Sequence, residues 1–212
     1  MQRSKDFKIR ARGERAAFVR PLCRVERLTY DVPTPSAMVG IFEAILWHPG
    51  VHWRPMLIEV LRPIRYFNMR TNEVTCTGAS GRPFDVEDKR TQRNTVGLYD
   101  VDYVFTAHFE LDGKAQHNVA AFTDMFERYL KRGQLHHTPC FGMFPFVCYL
   151  SEAPESYQTI EQGVDRPLGP MLYGRFPPGR RPEPMMFDAR LVNGAVRIPS
   201  YQSVVAASQQ QQ

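Results

Sequence analysis

TYDVPTPSAMVGIFEAILWHP, residues Thr29 to Pro49, begins β-branched and aromatic, turns through Pro33 and Pro35, and becomes an apolar run that stops at Trp47-His48-Pro49. Thr34 suits a helix N-cap, and Pro35 suits the first helical position, where a missing N–H costs no hydrogen bond. Met38, Ile41, Phe42 and Ile45 then recur at helical spacing until Pro49 and Gly50 end the run. The stretch predicts a strand-to-helix corner.

Upstream, Phe7, Ile9 and Ala11 alternate with Lys8, Arg10 and Arg12, so a strand there carries one apolar and one cationic face. That cationic face is either a binding surface or an ordinary solvated one. Downstream, VHWRPMLIEVLRPIRYF is extended but broken by Pro55 and Pro63, which suits edge strands or bends better than a central strand. YDVDYVFTAHFEL is the clearest strand, placed centrally, with Tyr99, Val101, Tyr103, Phe105, Ala107, Phe109 and Leu111 on one face. Asn118 caps a second helix with the stripe Val119, Phe122, Met125, Phe126, Tyr129 and Leu130, and Gly133 stops it. FPFVCYL returns as a strand.

The order β, α, β, insertion, β, α, β predicts an α+β fold: a ferredoxin-like domain, akin to RNA-recognition modules, over residues 1–150. A β-hairpin thumb is inserted at about 62–97. Residues 151–203 form a small C-terminal antiparallel sheet, with Asn193-Gly194 as a two-residue hairpin turn. Residues 204–212, ending in a glutamine run, are expected to be a disordered tail.

The chain of 212 residues carries 27 Lys plus Arg against 22 Asp plus Glu, a net charge of +5 that favours a polyanionic partner. Four cysteines without a C-x-x-C pair argue against a disulfide framework or zinc ribbon, and suit reduced thiols in the cytoplasm. No signal-peptide run or membrane-length apolar segment is expected. His136, His137 and Cys140 are close in sequence but point to different sides in extended backbone, so no metal site is assigned. The usual nucleotide and nucleophile motifs are missing, so no cofactor is expected.

Cation, aromatic and amide chemistry remains. Arg62, Arg65, Tyr66, Asn68, Arg70 and Asn72 on one side of the insertion, with Lys89, Arg90, Gln92, Arg93 and Asn94 on the other, mix phosphate-binding charge with groups that stack on or hydrogen-bond to bases. Single-stranded RNA calls for that mixture. RNA is also cut without a metal when a base deprotonates its 2′-hydroxyl, an acid protonates the leaving oxygen and a cation offsets the charge. His117 and Lys114, before the second helix, and His48, after the first, are the candidates.

RVERLTYDVPTPSAMVGIFEAILWHP, LRPI, RTNEV, LYDVDYVFTAHFEL and KRGQ followed by PCFG together resemble the fifth family of CRISPR-associated proteins, in its subtype I-C (Dvulg) branch. The similarity spans most of residues 5–150, with a weaker echo in LGPMLY and VNGAVRIP. The first stretch adds Arg24, Arg27 and Tyr30 to the candidate RNA contacts. The resemblance implies a subunit of a surveillance complex that holds the crRNA 5′ handle and cuts the precursor transcript without metal. Family members carry an aromatic or imidazole residue just before the Trp that ends the first helix, and a Lys-His pair entering the second. Leu46 stands at the first position, and counting back from Arg132-Gly133-Gln134 puts Ala121 and Phe122 at the second. Shifting to Gln116-His117 restores an imidazole, with Lys114 as the cation. Two readings stay open, a precursor-RNA endoribonuclease and a non-catalytic crRNA scaffold, with a duplex-DNA binder as a third.

Overall fold

The computed structural model describes residues 2–23, 25–75, 85–176 and 183–209. The elements in order are β1 (Gln2–Arg3), β2 (Phe7–Ala16), β3 (Arg27–Leu28), α1 (Pro35–Ile45), β4 (Val51–Val60), β5 (Tyr66–Val74), a 3-10 turn at Glu87–Lys89, and β6 (Arg90–Leu111). There follow α2 (Val119–Arg132), β7 (Tyr149–Glu152), β8 (Asp165–Phe176), β9 (Glu183–Val192), β10 (Ala195–Arg197) and α3 (Tyr201–Gln209). No described helix is long and apolar enough to cross a membrane.

The helices start and stop where local chemistry predicts. Thr34 Oγ1 accepts from Ala37 N at 3.2 Å, and Asn118 Oδ1 accepts from Ala121 N at 2.9 Å. Gly133 ends α2 in the left-handed region, at φ 63°. The sheet is one continuous structure in the order β7-β2-β6-β4-β10-β9-β8, antiparallel except for the short parallel pair of β3 with β6. β6, 22 residues long, is its spine. β2 and β4 pair with overlapping residues of β6 and so occupy opposite edges, and β5 continues along the β4 edge as far as Arg90.

Alternation along β2 and β6 sends Phe7, Ile9, Ala11, Phe105 and Phe109 to the face that α1 and α2 cover. Phe126 of α2 fills the centre, with ring centroids 4.7 Å from Phe7, 5.0 Å from Trp53 and 5.9 Å from Phe42. On the other face Asp102, Val104 and Thr106 of β6 are also buried. Arg10 of the expected cationic row donates to both oxygens of Asp102 at 2.9 and 2.6 Å, and Asp102 is only 2% exposed. A carboxylate so deeply buried needs such a partner, and its hydrogen bond raises the Arg10 pKa. Lys8 lies against Tyr157, whose hydroxyl donates to Glu59 at 2.8 Å.

Two expectations are corrected. β4 is an interior strand despite Pro55, because β10 pairs with it only from Leu57 to Glu59 and the register slips between Pro55 and Leu57. The proline thus sits beyond the end of the ladder that would need its N–H. The C-terminal segment is a helix through Gln209, where composition predicts disorder from residue 204. Ser200 Oγ accepts from Ser203 N at 3.3 Å, Val204 is 5% exposed in the core, and Tyr201 lies under the Arg54 guanidinium at 4.4 Å. That apolar stripe holds a helix whose composition alone does not announce it. Residues 210–212 lie outside the described residues.

Truncating the central ring tests this core. Phe126→Ala is expected to cost about 3–5 kcal/mol in urea unfolding, the range for deleting a fully buried phenylalanine.

Candidate functional site

The loops after α1 and before α2 meet at one end of the sheet. The Trp53 indole N–H donates to Leu46 O at 3.0 Å, closing the end of α1. His136 N donates to Ala44 O at 2.7 Å, and its ring stacks on Trp47 at 5.6 Å. Gly50, at φ 86°, lets the chain turn where a Cβ would collide with the Ala115 backbone nitrogen. Asp112 N then donates to Gly50 O at 3.0 Å, joining the two loops.

This joint brings His48 and His117 together, with ring centroids 6.3 Å apart. Both rest on Phe122, at 5.1 and 5.5 Å, and Phe122 is fully buried. His48 Nδ1 is 2.8 Å from the Pro49 carbonyl. A carbonyl can only accept, so Nδ1 carries the proton and the neutral ring presents Nε2 as a base. Lys114 belongs to the same turn, its backbone N–H donating to Asp112 Oδ1 at 2.8 Å. All three catalytic candidates therefore share one locus. Leu46 is buried and Ala121 N is occupied by the Asn118 cap, so neither acts there. Among the described residues no three His, Cys, Asp or Glu side chains gather as a metal-ligand set.

The candidate RNA contacts divide by strand parity. Asn68, Arg70 and Asn72 of β5 are exposed on the same face as Arg90, Gln92 and Asn94 of β6. Arg70 lies opposite Asn94 and donates to its Oδ1 at 3.1 Å. Tyr66 shares this face at its base, half exposed, and Lys89 is exposed at the far end. The ribbon surface is a row of amides with interspersed cations, able to contact bases and phosphates together.

Other candidates are committed elsewhere. Arg27 grips Glu73 at 2.5 and 3.0 Å, and Arg93 Nε reaches the same carboxylate at 3.0 Å, on the opposite face of the ribbon. Arg62 and Arg65 both pair with Asp100, the latter at 3.2 Å. Asp100 is left-handed, at φ 54°, which aspartate tolerates better than most residues. Tyr30 is 2% exposed, its hydroxyl accepting from Leu172 N at 3.3 Å and its ring covered by Arg20, so it cannot stack on a base. Burial raises its pKa. Arg24 lies outside the described residues. Sequence reasoning missed the acids that organise these cations, Glu73, Asp100 and Asp102, because only strand register assigns their partners.

The Arg27–Glu73–Arg93 link has a testable pH signature. The Arg27 hydrogen bond holds the Glu73 carboxyl below the usual range. Its stabilisation is therefore present above the unfolded glutamate pKa and is lost as pH falls through the lower folded value. Glu73→Gln is expected to cost about 1 kcal/mol or less at neutral pH, since the carboxylate is 30% exposed. The difference from the parent in urea midpoint should vanish in acid, well below about pH 4.3.

Residues 7–170 match the family described as CRISPR-associated protein (Cas_Cas5). A protein of Thermus thermophilus named CRISPR pre-crRNA endoribonuclease Cas5d is 37% identical, the alignment covering 92% of this chain and 91% of that protein. A Mannheimia succiniciproducens protein of the same name is 35% identical over 89% of this chain and 92% of its own length. A solved CRISPR-associated protein superposes with a TM-score of 0.74 at 22% identity, covering 95% of each chain. A chain of a CRISPR RNA-guided surveillance complex superposes at 0.57 with 15% identity, covering 98% of this chain and 100% of that one. The last two likenesses speak to fold, while the family match and the two relatives decide membership: the chain belongs to the Cas5 family of CRISPR-associated proteins, of the I-C type.

Proposed function

We propose that this chain binds the 5′ handle of crRNA in a type I-C CRISPR surveillance complex and processes precursor crRNA by metal-independent cleavage. The observation that carries this reading is the meeting of His48 and His117 on Phe122 beside the Lys114 turn. It occurs in a chain whose relatives are named pre-crRNA endoribonucleases. The order β7-β2-β6-β4, with α1 and α2 in the connections, supports a ferredoxin-like domain over residues 1–150. β5 and the first part of β6 serve as its thumb at about 62–97, and residues 151–203 add the C-terminal strands.

In the proposed reaction His48 Nε2 takes the proton of a ribose 2′-hydroxyl, whose oxygen attacks the adjacent phosphorus. A protonated His117 delivers a proton to the departing 5′-oxygen as its bond to phosphorus breaks. The Lys114 ammonium offsets charge on the phosphoryl oxygens. The products are a 2′,3′-cyclic phosphate and a 5′-hydroxyl, and no water is consumed. One imidazole must start neutral and the other charged, so the rate should be bell-shaped in pH.

Grip and chemistry lie at opposite ends of β6, since a strand rising about 3.3 Å per residue puts roughly 55 Å between Asn94 and Leu111. Substitutions at the two ends should therefore separate. Leu46 and Phe122, at positions where the resemblance implies proton-moving groups, favour the scaffold as the second reading.

Purified chain incubated with precursor transcript in EDTA is expected to yield cyclic-phosphate ends, and tight binding of intact RNA would leave the scaffold. His48→Ala and His117→Ala should each slow cleavage by about 10²–10⁴-fold with RNA affinity retained. Arg70→Gln with Arg90→Gln should instead weaken binding and reduce the salt slope by about 1.4, at roughly 0.7 per phosphate contact on a single strand. Equal competition by unrelated duplex DNA would point to a general DNA binder.

A further inference from the structure

The turn that bears Lys114 and His117 is fixed by one carboxylate. Asp112 Oδ1 accepts the Lys114 N–H at 2.8 Å, the short side chain closing its own turn two residues on. Oδ2 lies 2.8 Å from His52 Nε2 on β4. The Asp112 backbone joins the same cluster, its N–H donating to Gly50 O at 3.0 Å and its carbonyl accepting from Ala115 N at 3.2 Å. One residue thus ties β4, the turn after His48 and the turn before His117 into a single body.

A carboxylate oxygen can only accept, so His52 Nε2 carries the proton in this bond. The bond with His52 and the Lys114 amide hold the Asp112 carboxyl below its usual range, which keeps both oxygens available as acceptors. The groups facing His52 are Asp112, Glu43 from α1, and its β6 neighbour Glu110, which is itself held by Arg54 at 2.8 Å. Neither His52 nor Asp112 is among the groups assigned above to the reaction.

We propose that Asp112, oriented by His52, is the positioning residue that sets Lys114 and His117 against His48 for precursor-RNA cleavage. The role rests on the cleavage reading above. General acid and base must flank the same phosphate, and an ångström of misplacement in such a pair costs about 10²-fold in rate. His48 stands on one loop and His117 on the other, so their separation is set by whatever fastens the loops.

The test is single-turnover cleavage of precursor transcript in EDTA at saturating protein, with RNA affinity and thermal midpoint measured on the same samples. Asp112→Ala is expected to slow cleavage by about 10²-fold, with Kd within twofold of the parent. Asp112→Asn, which keeps an acceptor for the Lys114 amide, should lie between the two. His52→Ala should slow cleavage by about tenfold and His52→Gln, which retains a donor, should recover most of it. Cleavage at the parental rate in Asp112→Ala and His52→Ala overturns the proposal. So does a loss of rate matched by an equal loss of affinity, or a folded His52→Gln no faster than His52→Ala. A parent chain that binds the transcript without cutting it removes the cleavage reading itself, and the positioning role with it.

Discussion

β6 is paired along both edges for nearly its whole length, and that pairing sets where the core and the ribbon face lie. Twenty-two residues hydrogen-bond to β1, β2 and β3 along one edge and to β4 and β5 along the other. A strand paired on both sides cannot slip by one residue without exchanging its two faces, which would move Phe105 and Phe109 out from under the helices, because side chains alternate with a period of two. The register that puts Phe105 and Phe109 under the helices therefore also decides which ribbon residues face outward near Arg90. Core and outer ribbon face are one structural decision.

Charge is handled by the same geometry. A chain with a formal net charge of +5 suggests a broad cationic surface, yet many of its arginines are held by acids across strands. Asp102 takes Arg10, Glu73 takes Arg27 and Arg93, and Asp100 takes Arg62 and Arg65. The partly exposed pairs at Glu73 and Asp100 contribute little each, about 0.2–1 kcal/mol, so their main consequence is to neutralise cations. What remains on the outer ribbon face is richer in amides than in charge. Such a surface suits the proposed contact with unpaired bases as well as phosphates.

The imidazole locus follows a different logic. His48 and His117 are far apart in sequence and are held by backbone hydrogen bonds between two short turns rather than by a shared element. Phe122, at one of the positions where the resemblance implies a proton-moving residue, serves as the floor under both rings.

Local stereochemistry made part of this legible from the residues alone. Thr34-Pro35, Asn118, Gly133 and Asn193-Gly194 each act within a few bonds of themselves, so helix starts, a helix stop and a hairpin turn could be read directly. The alternation in β6 likewise identified the central strand, since burial of one face follows from the pleat. Tertiary structure decided whatever depended on distant partners. It buried Tyr30, seated Pro55 in an interior strand beyond the end of its ladder, packed Val204 into a final helix, and matched arginines to acids. It also brought two histidines onto one phenylalanine. The reason is range: propensity and periodicity act over a few residues, whereas register, burial and the meeting of loops are settled only when the whole chain closes.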